Sequence, residues 1–205
     1  MKSVRIRFAG LCAGVAALSL LTGAASAKAA APAKTAPPVS ADAGKPAQPT
    51  ESKDFGDWTV RCYPASTGTP CEMIELLVNK KSGRRVLGVL IVYNPSNNQN
   101  VMQVAMPLGV MLQNGAVLNA DTYTSGVLHY RLCDMQGCYA LTALDDGAIK
   151  ALGRATKAQM NIVSADGKKF DIGFSLNGFT AAHSALMDMT RKAPPPAAPS
   201  APPGQ

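Results

Sequence analysis

The chain has 205 residues, of which 20 are Lys or Arg and 13 are Asp or Glu, so its formal net charge is +7. Much of this excess lies near the N-terminus, since residues 54–192 carry 13 cations and 11 anions. A surplus of two cations with 5% aromatic residues is not the basic surface of a nucleic-acid-binding protein, and we expect no nucleic-acid partner.

The first 27 residues have the three-part layout of a secretory signal peptide. Three cations within residues 1–7 precede an almost wholly apolar run over 8–21, and an A-x-A pattern then predicts cleavage before Lys28. The apolar run is too short to cross a bilayer, and we predict no transmembrane segment in the mature chain. We therefore expect an exported protein that is periplasmic, envelope-associated or secreted.

Two segments are too poor in large apolar side chains to form a core. Residues 28–53 are rich in Ala, Pro and Lys, residues 193–205 are rich in Pro and Ala, and together they hold 11 of the 15 prolines. This composition predicts a disordered linker over 28–53 and a disordered tail over 193–205. One folded domain is predicted between them, over 54–192. The linker is interpreted either as a spacer or as a solubilising segment.

Removal of the signal peptide takes away Cys12 and leaves four cysteines in the mature chain. An even number of cysteines in an oxidising compartment predicts two disulfides, for which three connectivities exist. Cys62 and Cys71 bracket a loop rich in Pro, Gly, Ser and Thr, and Cys133 and Cys138 bracket the turn-forming DMQG. Since facing residues of an antiparallel hairpin are within disulfide reach, we predict the pairs Cys62–Cys71 and Cys133–Cys138.

Other uses of these cysteines fit their spacing less well. Zinc sites commonly have C-x2-C or a Cys/His cluster, whereas these pairs enclose eight and four residues and the chain has only two histidines. Thiol oxidoreductases use C-x-x-C, which is absent from the sequence. We therefore predict structural disulfides, each stabilising the fold by about 2–3 kcal/mol, and no metal site.

Alternating and short apolar runs predict a mainly antiparallel β domain. Residues 55–62 and 168–176 alternate between polar and apolar side chains, as strands with one buried face do. Residues 86–93 are apolar throughout, which predicts a strand covered on both faces. Further strands are predicted over residues 71–79, 100–106, 126–133, 138–144 and 157–164.

The segment MPLGV at 106–110 has two interpretations. Pro107 cannot donate a hydrogen bond to a neighbouring strand and Gly109 permits unusual dihedral angles, so a strand is expected to end here at a bend or bulge. Alternatively, an exposed apolar ridge forms an adaptable docking surface, and its members are Met102, Met106 and Met111.

Two helices are predicted among the strands. Asp145 or Asp146 is suited to cap a short helix that ends near Gly153. A C-terminal helix is predicted over about 180–191, with an apolar stripe that packs on a sheet and comprises Phe179, Ala182, Leu186 and Met189. The predicted fold is an antiparallel β-sandwich-like domain with one short helix and a C-terminal helix.

The candidate catalytic residues do not form a recognisable constellation. Asp145 and Asp146 are adjacent at a helix start and point in different directions. His129 is expected to face solvent, and His183 is expected at the boundary of the apolar stripe, where its neighbour Ser184 does not face it. A hydrolase would need one of these histidines beside an acid in a cleft. We therefore predict a non-enzymatic protein without cofactors.

Five short stretches resemble the invasion-associated locus B family. They are FGDWTVRC at 55–62, the cysteine at 71, MPLGV at 106–110, RLCDMQGC at 131–138 and SLNGF at 175–179. The similarity spans most of residues 54–186, and the Ala/Pro-rich tails lie outside it. The chain departs from the family pattern four residues after the second cysteine of the first pair, where it has Glu75 in place of Gln.

This resemblance implies an exported bacterial protein, named for a role in host-cell entry, without an assigned catalytic site. We expect an interaction protein that binds a protein partner in the envelope or on a host cell. The alternative is a periplasmic accessory or chaperone-like factor that serves envelope biogenesis. The sequence indicates no particular oligomeric state.

Overall fold

The structure is a computed structural model, and it describes residues 47–64 and 70–193. The predicted signal peptide, most of the predicted linker and all but the first residue of the predicted C-terminal tail lie outside these ranges. Within the described part, no helix is long and apolar enough to span a membrane.

Strands dominate the described residues. In chain order they are β1 (Glu51–Phe55), β2 (Trp58–Cys62), β3 (Cys71–Val78), β4 (Arg85–Asn94), β5 (Gln99–Met106), β6 (Ala116–Ala120), β7 (Tyr123–Thr124), β8 (Tyr130–Asp134), β9 (Gly137–Leu144), β10 (Lys157–Val163) and β11 (Lys169–Ser175). The two α-helices of this part are α1 (Asp146–Arg154) and α2 (Phe179–Lys192), and a short 3-10 helix covers Leu112–Asn114.

The strands form two antiparallel sheets. The large sheet has seven strands in the order β1-β2-β3-β4-β5-β9-β8, and the small sheet has four in the order β11-β10-β6-β7. The small sheet and helix α2 pack on one face of the large sheet, which we name the inner face. The prediction of an antiparallel β-sandwich-like domain with two helices is confirmed.

The core lies between the inner face, the small sheet and the helices. Trp58 is fully buried there, its ring lies edge-on to Phe179 of α2 with 5.3 Å between centroids, and its indole N–H donates to the Ser175 backbone oxygen at 3.1 Å. Edge-to-face aromatic pairs contribute beyond the area they bury. Most other residues of the inner face are apolar, and they include Val60, Met73, Leu87, Val89, Ile91, Met102 and Val104.

The opposite, outer face of the large sheet corrects the prediction for residues 86–93. Leu87, Val89 and Ile91 point into the core, but Val86, Leu90 and Val92 alternate with them and are only partly buried. A strand covered on both faces needs a layer on each side, and the described residues supply one layer only. The continuous apolar run therefore marks an apolar outer face rather than a central layer.

Both helices begin and end close to their predicted positions. The Asp145 side chain accepts the Ala148 backbone N–H at 2.7 Å and caps α1, as a carboxylate at a helix N-terminus is expected to do. Helix α2 buries Phe179, Ala182 and Leu186 of the predicted stripe, whereas its fourth member, Met189, is only partly buried.

Four strands differ from the prediction. Strand β1 starts at Glu51, three residues before the predicted start of the domain at 54. Strands β6 and β7 were not predicted, because their short segments lack a strong alternating pattern. Strand β8 begins at Tyr130 instead of 126, since the chain before it makes only an isolated bridge at Leu128.

The segment MPLGV forms the expected bend. Strand β5 ends at Met106, Gly109 has a φ of +86°, and Val110 then makes an isolated bridge with Ser164. The alternative methionine ridge is wrong, because Met102 and Met106 are buried on the inner face and Met111 is only partly exposed.

Candidate functional site

A cavity of about 830 Å³ lies where strand β3 of the large sheet meets the small sheet. Polar side chains from four separate segments contribute to its lining, which is the mixed character expected of a ligand site. The lining residues are Glu75, Leu77, Asn119, Asp121, Thr156, Lys157, Ala158, Gln159, Gly173, Phe174, Ser175 and Asn177.

Glu75 is the buried acid of this cavity. Strand alternation in β3 places Cys71, Met73 and Glu75 on the inner face, and only 7% of Glu75 is exposed. Its Oε1 accepts the backbone N–H of Ser175 at 3.0 Å, whereas its buried Oε2 has no hydrogen-bond partner among the described residues. A buried carboxylate oxygen without a donor costs free energy, so Glu75 is a residue of the cavity lining whose hydrogen bonding is incomplete.

Ser175 links the two sheets beside Glu75. Its backbone N–H donates to Glu75 Oε1, and its backbone oxygen accepts the indole N–H of Trp58. Both of these partners belong to the large sheet. Its hydroxyl donates to Asp57 Oδ2 at 2.6 Å and accepts the Asn177 backbone N–H at 3.1 Å. Glu75 is thereby held in one position by a network that joins the sheets.

Burial raises the pKa of Glu75 to about 7 from its ordinary value of 4.5. The negative charge of Asp57 raises this pKa further, and the Ser175 N–H opposes the shift because it stabilises the carboxylate. The group therefore exchanges its proton near neutral pH. When it is protonated it can donate a hydrogen bond, and when it is ionised it attracts a cation or a donor.

The turn before Trp58 and the segment after Ser175 explain two of the sequence motifs. The Asp57 backbone N–H donates to the Asn177 backbone oxygen at 3.2 Å, which joins FGDWTVRC to SLNGF. Gly178 has a φ of +86°, and a Cβ on it would lie 1.9 Å from the Phe55 backbone oxygen. Glycine is required here both for the dihedral angle and for the close approach.

The wider part of the cavity combines unpaired polar groups with free space. The side chains of Lys157 and Gln159 form no hydrogen bond or ion pair with other described residues. Gly173 stands opposite Gln159 in the sheet, and a Cβ on it would meet only the Ala158 backbone oxygen at 3.9 Å. A larger side chain at 173 would therefore occupy open space beside the cavity.

The outer face of the large sheet carries a second feature, an uncharged apolar patch. Ile74, Leu90, Gln103 and Leu141 face one another across four strands, and Val92, Val101 and Ala143 form the next row. We name these seven residues together with Leu76 the outer patch. Leu76 is 51% exposed and Leu141 is 40% exposed, although aliphatic side chains of this size are usually buried.

Charged groups at the edges of the outer patch are paired or engaged. Arg61 and Glu72 form an ion pair at 3.2 Å on one side. On the other side, Arg85 lies over the Tyr139 ring at 5.6 Å and donates to the Gln136 backbone oxygen at 2.8 Å. The patch itself therefore contains no charged residue, and Arg61, Glu72 and Arg85 at its border already have partners.

Both disulfides bridge directly facing residues of neighbouring strands. Cys62 is bonded to Cys71 across β2 and β3, and Cys133 to Cys138 across β8 and β9, with 4.0 Å between Cα atoms in each pair. The second bridge closes the turn that Arg85 holds against β4, where Met135 is 91% exposed. Cross-strand bridges at this spacing limit the motion of the hairpin ends.

The structure does not bring the candidate catalytic residues together with an acid. His129 is exposed just before β8, whereas His183 is buried in α2 and its Nε2 lies 2.9 Å from Asn100 Oδ1. His183 is therefore more deeply placed than the boundary position predicted for it, and burial lowers its pKa. Asp145 is engaged as a helix cap. Among the described residues, no group of three His, Cys, Asp or Glu side chains is arranged to hold a metal.

Sequence reasoning identified Glu75 as a departure from the family pattern but did not assign it a role. The alternation of strand β3 is the signal in the sequence that could have indicated this role. It places an acid at position 75 on the same buried face as Cys71 and Met73. The cavity itself could not be predicted, because its lining comes from strands that are far apart in sequence.

The described residues form two antiparallel sheets that are joined through Ser175, and a disulfide links neighbouring strands at two places. This architecture is that of a disulfide-stabilised β-sandwich protein. The family model described as invasion associated locus B (IalB) protein matches residues 58–187. This match covers more than half of the chain, and the chain belongs to the invasion-associated locus B family.

Individual relatives agree with this assignment. Invasion protein B homologues from two strains of Brucella abortus are each 27% identical to this chain over 143 residues, which is 69% of this chain and 82% of theirs. The crystal structure of invasion associated protein B from Bartonella henselae has a similar fold, with a TM-score of 0.63 and 20% identity. That similarity covers 70% of this chain and 99% of the Bartonella chain.

Proposed function

We propose that this chain is an exported, non-enzymatic interaction protein of the bacterial envelope that binds a protein partner through the outer patch. The observation that carries the proposal is the outward exposure of aliphatic side chains on the large sheet, such as Leu76 and Leu141. Contiguous exposed apolar surface is costly in water and is typical of protein interaction sites.

The chemistry of the outer patch defines the kind of partner. Its eight members are uncharged, so they attract a partner surface that is also uncharged and apolar. A charged partner surface would lose hydration without gaining a counter-charge. The paired charges Arg61 and Glu72 at the border are suited to the polar rim of such an interface.

Export is supported by the N-terminal sequence and by the two disulfides. Disulfides persist in oxidising compartments such as the periplasm and the extracellular medium. The names of the Brucella and Bartonella relatives refer to invasion, and this supports a contribution of the present chain to host-cell contact.

Fractionation of the native bacterium tests the export part of the proposal. We expect a mature protein that begins at Lys28 and is recovered from the periplasm, the envelope or the medium. A cytoplasmic protein that retains its first 27 residues would overturn this part. Unreduced mass analysis of the same material should show no free thiols among Cys62, Cys71, Cys133 and Cys138.

Photocrosslinking in intact cells tests the binding part. A photoreactive phenylalanine at Leu90 or Leu141 should crosslink to one discrete partner protein, and Leu90→Lys should abolish the crosslink from position 141. Phe170 is a matched control, because it is 48% exposed but belongs to the small sheet. A crosslink only to a second copy of this chain, or equal crosslinking from Phe170, would contradict the proposal.

The identity of the crosslinked partner separates the leading function from its alternative. A partner on the host-cell surface supports host contact. A periplasmic or outer-membrane protein, with this chain retained in the periplasm, favours the accessory or chaperone-like function in envelope biogenesis. Replacement of both His129 and His183 by alanine should leave either function intact. Loss of function in a variant that still folds would point to a hydrolase.

A further inference from the structure

We propose that the cavity between the two sheets is a binding site for a primary ammonium group, with the carboxylate of Glu75 as its counter-ion. The ligand would be an aliphatic amine or the side chain of a lysine in a peptide. This site lies on the inner side of the large sheet and is independent of the partner surface on the outer patch.

The unpartnered oxygen of Glu75 is the first observation behind this proposal. Glu75 is more than nine-tenths buried, and its Oε1 is already bound by Ser175 while its Oε2 lacks a donor among the described residues. An ammonium group offers three N–H donors and a positive charge, and so supplies both the missing hydrogen bond and the missing counter-charge.

The size and lining of the cavity favour an organic cation over a metal ion. A Ca²⁺ or Mg²⁺ site needs about six or more oxygen ligands around a single point, and the described residues contain no cluster of three acidic, His or Cys ligands. A volume of about 830 Å³ matches an organic ligand, and Leu77, Ala158 and Phe174 provide apolar contact for its carbon chain.

The charges around the cavity favour a cation at Glu75. Asp121 lines the cavity and Asp57 reaches it through the Ser175 hydroxyl, whereas Lys157 is the cation of the lining. Ionised Glu75 therefore makes the local charge negative. Lys157 competes with an external amine for these carboxylates, and its removal is expected to strengthen binding.

Proton exchange at Glu75 makes the binding dependent on pH. Its pKa is about 7, so about 3% of the carboxyl is ionised at pH 5.5 and about 90% at pH 8. Because only the ionised form pairs with an ammonium group, the apparent affinity should rise about thirtyfold between these two pH values.

Calorimetric titration of the mature, oxidised protein tests the site. The probes are 1,5-diaminopentane and a capped lysine amide, with 1,5-pentanediol as the neutral counterpart of the diamine. We expect saturable binding of an amine at pH 8, loss of about thirtyfold in affinity at pH 5.5, and no binding of the diol. The tighter of the two amines identifies whether the ammonium comes from a free amine or from a peptide.

Two matched variants of strand β3 localise the effect. Glu75→Gln keeps an acceptor for Ser175 and corresponds to the residue of the family pattern, and it should reduce amine affinity at pH 8 by tenfold or more. Glu72→Gln removes the same charge from the outer side of the strand and should leave the affinity within about twofold.

A third variant tests the space rather than the charge. Gly173→Val adds a side chain beside the cavity where the backbone leaves room, and it should weaken amine binding without unfolding the protein. Equal binding by the wild type and Glu75→Gln, equal binding of amine and diol, or no amine binding at pH 8 would each overturn the proposal. The pH arm and Gly173→Val decide the question even if Glu75→Gln does not fold.

Discussion

The inner and outer faces of the seven-stranded sheet use the same alternating strands but meet different surroundings. The inner face is buried under the small sheet and α2, yet it includes the acid Glu75. The outer face includes Leu76 and Leu141, yet these aliphatic side chains are 51% and 40% exposed. Each face thus includes side chains that depart from the usual distribution of polar and apolar residues, and Glu75 and the outer patch are the candidate sites.

Stability should depend much more on the inner face than on the outer face, and Trp58→Ala gives the largest expected difference. This substitution removes the contact with Phe179 and leaves the Ser175 oxygen without its indole donor. We expect a loss of about 3–5 kcal/mol in the free energy of unfolding, measured by urea denaturation at fixed pH. Leu90→Ala on the outer face should cost about 1 kcal/mol or less, and equal losses would refute the contrast.

The acid on the inner face should give the protein an unusual pH dependence. The folded state raises the pKa of Glu75 from 4.5 to about 7, so its stabilising contribution is complete below about pH 4.5 and is lost as the pH rises through 7. The full shift corresponds to about 3 kcal/mol. We therefore expect the difference in unfolding free energy between the wild type and Glu75→Gln to fall by this amount between pH 4 and pH 9.

The free energy of unfolding of Glu75→Gln must be subtracted at each pH, because His183 changes stability with pH in the opposite direction to Glu75. Burial lowers the pKa of His183, so its contribution is present above the unfolded value of 6.5 and is lost as the pH falls below it. Both proteins contain His183, and its effect cancels in the difference. A flat difference curve would show that Glu75 keeps an ordinary pKa.

Strand β5 offers a smaller test with one polar residue on each face. Asn100→Leu on the inner face removes the partner of the buried His183 Nε2, and we expect a loss of about 1–3 kcal/mol at pH 8. Gln103→Leu on the outer face should change stability by about 0.5 kcal/mol or less. Thermal unfolding of the two variants in the same buffer measures both effects.

A small effect on stability is also expected for Leu90→Lys at the centre of the outer patch. The long side chain can extend into solvent, so the free energy of unfolding should change by less than about 1 kcal/mol. The same charge should prevent docking of an uncharged partner. Unchanged stability with unchanged crosslinking from position 141 would remove the outer patch as an interaction surface.

Most of the secondary structure could be predicted because the evidence for it is local. The alternation around Trp58, the carboxylate before α1 and the stripe of α2 each lie within a few residues of one another. Strands β6 and β7 could not be predicted, because these short segments are defined by pairing, of β6 with β10 and of β7 with β6, rather than by their own pattern. Residues 86–93 were misassigned for a related reason: an apolar run does not show whether one layer or two will cover it.

The amino-acid sequence by itself determined most of the sheet-forming segments, the helix positions and the cysteine pairs, because strand alternation, capping and hairpin closure act between near neighbours. Tertiary structure decided that Glu75 faces a cavity, that His183 is buried against Asn100 and that the aliphatic residues around Leu90 face outwards. These features depend on which distant strands and helices pack on each face of a sheet. That choice is made by contacts between residues a hundred or more positions apart, such as Glu75 and Ser175.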